Sequence, residues 1–254
     1  MTIAIAAKRS TEELKALAEA GNAELNSAFG PAGYAQPNPG ALEATAEEVI
    51  AWVARNFAVD AAAVACSMAD AVLPAIVAKQ LPDVEVLFID TGYHFVETHS
   101  TRDEVARVLP VRILDVKPKL TVEEQNAKYG EKLYERDPNL CCAMRKVEPL
   151  TNQLKEFEVW FTGVRRDEAD TRANTPLVTW DDKNGLVKIN PLAAWTFDEL
   201  IDYANEHKVP TNLLLQHGYP SIGCEPCTKP VAPGEDPRSG RWAGTGKVEC
   251  GLHL

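Results

Sequence analysis

The feature that most constrains this 254-residue chain is an alternation of short, continuous apolar runs with helical patterns. The runs are AAAVACS (61–67), VEVLFID (84–90), VRILDV (111–116) and EVWFTG (158–163). Runs this short and apolar throughout read as strands buried on both faces. Between them, MADAVLPAIVAKQL (68–81) reads as a helix despite Pro74, and HFVETHSTRDEVARVL (94–109) as another. Three further helix starts carry capping boxes: Thr45 with Glu48, Thr121 with Glu124, and Thr196 with Glu199. In each box the two side chains satisfy each other's backbone N–H groups. After Thr45, the residues Ala46, Val49, Ile50, Val53 and Phe57 keep helical spacing on one apolar face. This order predicts right-handed βαβ connections and an α/β fold, a parallel sheet flanked by helices. Ligands of such sheets sit beyond the carboxyl ends of the strands. The ends to inspect are Cys66-Ser67, Asp90-Thr91-Gly92 and Thr162-Gly163.

Residues 1–40 read as an N-terminal helical segment and a Gly/Pro-rich linker, NSAFGPAGYAQPNPGA, that reaches into the main domain. Residues 41–220 form the main α/β domain. Residues 221–254, rich in glycine, proline and charge, read as a loop and a mobile tail of that same domain. The net charge of -11 argues against a nucleic-acid binder, which needs a basic face for phosphates. The start, MTIAIAAKRS, is too short for a signal-peptide core, and no apolar run approaches membrane-spanning length. A cytoplasmic protein is expected. In a reducing compartment its six cysteines bind metal or do chemistry more often than they form disulfides.

Four of those cysteines form a set: Cys141 and Cys142 in tandem, and Cys224 and Cys227 in GCEPC. Four thiolates can bind zinc, but adjacent cysteines diverge, which suits one tetrahedral ion poorly. A 4Fe-4S cubane spreads its irons, so neighbouring thiolates can reach different ones. Zinc, a vicinal disulfide and plain buried thiols stay open as alternatives. Basic residues gather nearby: Arg145 and Lys146 after the pair; Arg165, Arg166 and Arg172 past a strand; Arg238 and Arg241 in DPRSGRW. Arginine forks suit phosphate and sulfate oxygens. Cys250 lies in a glycine-flanked tail, GTGKVECGLHL, that offers a thiol no core.

Together FIDTGYHFVET, CCAMRKVEPL, FTGVRRDEADTRA, KINPLAAWTFDEL, GYPSIGCEPCT, DPRSGRW and ECGLH resemble the assimilatory sulfonucleotide reductases. The resemblance is to their iron–sulfur type, which reduces adenylyl sulfate (APS), and it covers most of the chain after about residue 45. It implies an adenine-nucleotide α-hydrolase-like fold related to the ATP pyrophosphatases. It implies that APS and reduced thioredoxin, or a similar dithiol protein, give sulfite, AMP and oxidised thioredoxin. By motif, Cys141, Cys142, Cys224 and Cys227 would hold one 4Fe-4S cluster, and Cys250 would be the nucleophile. Lys146, Arg238, Arg241 and His253 would contact the phosphosulfate, with Arg165, Arg166 and Arg172 joining the substrate site. Ser67, Gly163 and the segment Ile89, Asp90, Thr91, Gly92 would help bind the nucleotide. The resemblance leaves room for a homo-oligomer and gives no role to nucleic acid or membrane.

One stretch departs from the family pattern. Its pyrophosphate-type loop usually reads like SFSGAED; here it is ACSMADA, without glycine. Aligned on Asp70, the family's serine falls on Cys66 rather than Ser67, which leaves open which of the two side chains meets the nucleotide. A thiolate must attack a sulfur beside other anions, so surrounding cations reduce the repulsion and stabilise the leaving AMP. The product on the protein would be an S-sulfocysteine at Cys250. A protein reductant cannot enter a closed site, so the tail is expected to dock for one step and swing out for the next. Use of the 3′-phosphorylated substrate (PAPS), alone or alongside APS, is one rival, although such relatives generally lack the cluster cysteines. A thiolation enzyme would want an SGGxDS loop. A non-enzymatic zinc module would not explain Cys250.

Overall fold

The four apolar runs become β1 (Ala62–Ala65), β2 (Val84–Ile89), β3 (Val111–Val116) and β4 (Val159–Phe161). A hairpin adds β5 (Val178–Asp181) and β6 (Leu186–Ile189). The sheet order is β3-β2-β1-β4-β6-β5. All pairings are parallel except β5 with β6, so the expected parallel sheet carries one antiparallel edge strand. The computed structural model describes residues 8–25 and 43–252; the linker at 26–41 and His253 lie outside the described residues.

From β1 the chain steps outward to β3, then returns to pair β4 on the other side of β1. This reversal opens a crevice beyond the carboxyl ends of β1 and β4, the place where such sheets bind ligands. The helices are α1 (Thr11–Leu25), α2 (Ala46–Asn56), α3 (Val72–Ala78), α4 (Val96–Val108), α5 (Val122–Tyr129), α6 (Leu133–Arg136), α7 (Pro138–Cys142), α8 (Glu148–Leu154) and α9 (Phe197–Glu206). The three capping boxes start α2, α5 and α9. On α2, the whole predicted apolar face is buried.

The third helix starts at Val72, four residues later than the sequence predicts. Met68 to Ala71 stay in a loop because the 210–212 segment claims their backbone. Ala71 N donates to the Pro210 carbonyl and Asn212 N to the Ala69 carbonyl, both at 3.0 Å. Pro74 then falls in the first turn, where its missing N–H forfeits no helical bond.

One face of the sheet is thickly covered: Val64, Phe88, Phe161 and Ile189 pack with Ile50 and Val53 of α2, Ile76 of α3 and Leu14 of α1. Helix α1 comes close enough that a Cβ on Gly21 would stand 2.7 Å from the Trp52 ring. The other face is thinner, with Ala63, Leu87, Trp160 and Leu186 covered by Leu150 and Leu154 of α8. Leu252, near the chain end, packs against this second group.

Candidate active site

A cavity of about 220 Å³ occupies the crevice at the sheet reversal. Strand ends build its floor: Ala65, Cys66 and Ser67 after β1, Ile89 at the end of β2, and Gly163 to Arg165 after β4. Lys146, Arg172, Arg238 and Arg241 supply a cationic wall, and Cys250 borders the same space. The sequence-predicted residues Ser67, Ile89, Lys146, Gly163, Arg165, Arg172, Arg238, Arg241 and Cys250 are therefore brought together. Arg166 is not among them. Its guanidinium pairs with Glu43 and donates to the Thr175 carbonyl at 2.8 Å, away from the crevice. His253 lies outside the described residues.

In the loop after β1, Cys66 and Ser67 have different surroundings. Met68 has a φ of +59°, the left-handed region where glycine is at home. Ser67 is exposed, whereas the Cys66 thiol turns to the Asp70 carbonyl at 3.3 Å. Burial pushes that thiol up to about 12, so it remains a protonated donor.

Cys141, Cys142, Cys224 and Cys227 border a second, smaller cavity, which shares Lys146 and Trp242 with the first. Asp137 starts α7 by accepting from Leu140 N at 2.9 Å, and Pro138 suits the first turn. The helix then widens into a π segment, Ala143–Val147, before α8. Such widened turns recur at functional sites. Here the segment rephases the chain so that Arg145 and Lys146 border the cysteines. On the other side, Cys224 and Cys227 flank a single 3-10 turn, with Cys227 N donating to the Cys224 carbonyl at 3.0 Å. All six cysteines are free. Burial first, then the neighbouring thiols, pushes Cys141 up to about 12 and Cys227 up to about 11. Among the described residues, no three His, Cys, Asp or Glu groups converge tightly on one metal ion.

Asp90, Thr91 and Gly92, expected at the nucleotide, line neither cavity. The buried Thr91 hydroxyl is 3.3 Å from Cys224 Sγ, and its carbonyl accepts from Arg145 Nε. Gly92 has a φ of +73°, and a Cβ there would stand 3.0 Å from Arg145 Nη2. Arg145 is itself buried, donates to Gln125 at 3.0 Å and lies over the Tyr93 ring.

The family model described as phosphoadenosine phosphosulfate reductase domain matches residues 61–230. The chain belongs to this reductase family. A Streptomyces coelicolor relative named adenosine 5'-phosphosulfate reductase is 50% identical over 98% of this chain and 99% of its own. One of the same name from Mycolicibacterium smegmatis is 50% identical over 96% and 97%. Among solved structures, phosphoadenylyl-sulfate (PAPS) reductase from Candida auris in a phosphate complex superposes with a TM-score of 0.63 at 30% identity. It covers 74% of this chain and 91% of its own. Candida glabrata FMN adenylyltransferase, at 14% identity with a TM-score of 0.52 over 85% and 75%, shares the fold.

In this member of the reductase family, the cationic wall is held by specific supports. Arg241 donates to Ser221 Oγ and the Ile222 carbonyl, both at 3.2 Å, and lies 4.5 Å from the Trp242 ring centroid. It crosses Gly223 so closely that a Cβ there would lie 2.2 Å from Nη2. Burial, then Arg238, lowers the Arg241 pKa. Burial also works against the Lys146 ammonium, but the Cys224 and Cys250 thiols more than offset it and raise its pKa. The tail is seated: Glu249 is buried, Cys250 half-buried, and Gly251 and Leu252 lie against the body of the protein. Sequence reasoning assigned no role to Glu249, Trp242, Asp70 or Lys183. Glu249 stood inside the quoted ECGLH stretch, but nothing local pointed to its distant partners.

Proposed function

We propose that this chain is an oxidoreductase of sulfate assimilation that reduces APS to sulfite and AMP, with Cys250 as nucleophile. The observation that carries this reading is the position of Cys250: a thiol from an irregular tail shares a switch-point cavity with Lys146, Arg172, Arg238 and Arg241. The half-identical relatives named for APS reduction favour APS over PAPS as substrate.

In the first step the Cys250 thiolate attacks the sulfur of APS. The S–O bond to the phosphate breaks, AMP leaves with the electron pair, and the protein carries an S-sulfocysteine. Lys146 and the arginines neutralise charge on both anions as it shifts toward AMP. In the second step a dithiol protein such as thioredoxin attacks Cys250 Sγ and releases sulfite. Its second thiol then restores Cys250, and the partner leaves as a disulfide with two electrons given up. Ser67 and the strand ends at Ile89 and Gly163 hold the nucleotide.

The four free thiols around one cavity fit a 4Fe-4S cluster. Three of them are buried and Cys227 is half-buried, their thiolates would repel one another, and a metal cluster would relieve both costs. Bound there, the cluster would fasten the Lys146-bearing segment to the Cys224–Cys227 turn. Anaerobically purified protein is expected to be brown, with about four irons per chain; stoichiometric zinc without iron would defeat this assignment. With sulfur-labelled APS and no reductant, the parent protein is expected to become labelled and Cys250→Ser to stay unlabelled with its cluster intact. Label retained on the variant would remove Cys250 from the chemistry. Competition between APS and PAPS settles the substrate.

A further inference from the structure

The tail from Ala243 to Gly246 is exposed and has no regular structure, yet Glu249 is 8% exposed. A carboxylate this buried in an irregular segment needs dedicated partners. Arg172 gives it a fork, with Nε to Oε1 and Nη2 to Oε2 both at 2.8 Å. Thr171 Oγ1 adds a bond at 3.3 Å, and Arg238 Nη2 reaches Oε2 at 3.4 Å and the Val248 carbonyl at 3.1 Å. Two residues on, Lys183 in the β5–β6 turn donates to the Gly251 carbonyl at 2.6 Å. Leu252 follows into the apolar group on the thin face of the sheet.

We propose that Glu249 and Lys183 are positioning residues: they grip the chain on either side of Cys250 and hold its thiol in the cationic cavity. The proposal rests on Cys250 being the reacting thiol. A bidentate Arg–carboxylate pair fixes orientation as well as distance, so the Arg172 fork sets where the next residue points. The Lys183 bond prevents the tail from pivoting about that single anchor.

The test is the rate at which iodoacetamide alkylates Cys250 in the full-length, cluster-bound protein without substrate. Cleavage after Lys247 isolates the terminal peptide for mass spectrometry. Glu249→Gln is expected to speed alkylation roughly tenfold by weakening a charge-assisted fork, with Glu249→Asp recovering part of the parent rate. Loss of a neighbouring carboxylate also favours thiolate, so Lys183→Met is the discriminating variant. Losing a cation disfavours thiolate and predicts slower alkylation, whereas tail release predicts faster. Faster alkylation of Lys183→Met, with AMP affinity and cluster absorbance unchanged, is the expected result. Unchanged or slower alkylation of Lys183→Met, or a parent rate in Glu249→Gln, would overturn the proposal. Because this rate measures access, it stands or falls separately from the labelling experiment that tests Cys250 as nucleophile.

Discussion

At the scale of single residues, Met68 sets two effects against each other. Its left-handed backbone costs a non-glycine residue about 1–2 kcal/mol, yet its side chain is fully buried. Emptying such a site costs about 2–5 kcal/mol, so packing wins. Met68→Gly is expected to lower stability by about 2 kcal/mol in anaerobic urea denaturation, although it supplies the glycine that the backbone would prefer. The loop keeps its shape because Asn212 Nδ2 bonds the Met68 carbonyl at 3.2 Å. His94 gives a second residue-level expectation. Burial, opposed by its bond to the Ile89 carbonyl at 2.8 Å, holds its pKa down at about 4. An unfolded histidine protonates near about 6.5, so as pH falls the unfolded chain binds the proton first. Stability is therefore full above about 6.5 and is lost as pH falls toward about 4. His94→Gln is expected to flatten that part of the pH–stability profile. The cysteines and the cationic residues were legible in sequence because chemistry restricts their types. Arg166 was not distinguishable from its neighbour Arg165, because one residue of backbone direction decides which of them faces the cavity.

Among elements, a buried ion pair adds to the apolar packing that attaches α1. Arg9 donates to the buried Glu158 through Nε at 3.0 Å and Nη2 at 2.7 Å, while its own backbone N reaches Oε1 at 2.7 Å. Glu158 directly precedes β4, so this pair ties the start of α1 to the centre of the sheet. Breaking a buried pair from one side costs about 3–5 kcal/mol. Arg9 is partly exposed, which puts the expected loss for Arg9→Ala at about 3 kcal/mol, read from the denaturation midpoint. The elements that were legible, β1 to β4, α2 and α4, owe it to continuous apolar runs or to a strict helical stripe. The β5–β6 hairpin escaped because a search for unbroken apolar runs passes over VTWD and LVKI. Its signal was nonetheless present: Asn184-Gly185 between two β-rich runs marks a tight turn, and Gly185 has a φ of +73°. The late start of α3 had no such signal, because segment 210–212, far along the chain, holds the preceding loop.

For the whole molecule, the decisive property is the unequal cover of the two sheet faces. Five helices contribute to the buried group on one face, whereas α8 and Leu252 complete the other. The tail is thus a removable part of the cover. A chain ending at Glu249 is expected to keep its fold, its metal content and AMP binding, to lose less than about 2 kcal/mol of stability, and to show no turnover. Circular dichroism, a thermal melt and a sulfite assay check these outcomes together. The alternation of strands and helices announced this architecture, including the strand ends that line the cavity. The seat for the last residues could not be read ahead, because it is assembled from Arg172, Lys183 and Trp160, which meet the tail only in three dimensions.

Trp160 gives that seat a further property. Its indole lies in the apolar group that Leu252 enters, and both residues border the main cavity. Withdrawal of the tail would admit water to one edge of the ring, and tryptophan emission responds to such a change. Trp160 emission would thus report, without a label, on any withdrawal of the terminal thiol. Stopped-flow fluorescence, with Trp160→Phe separating its signal from the other four tryptophans, would test whether the tail departs and returns during turnover.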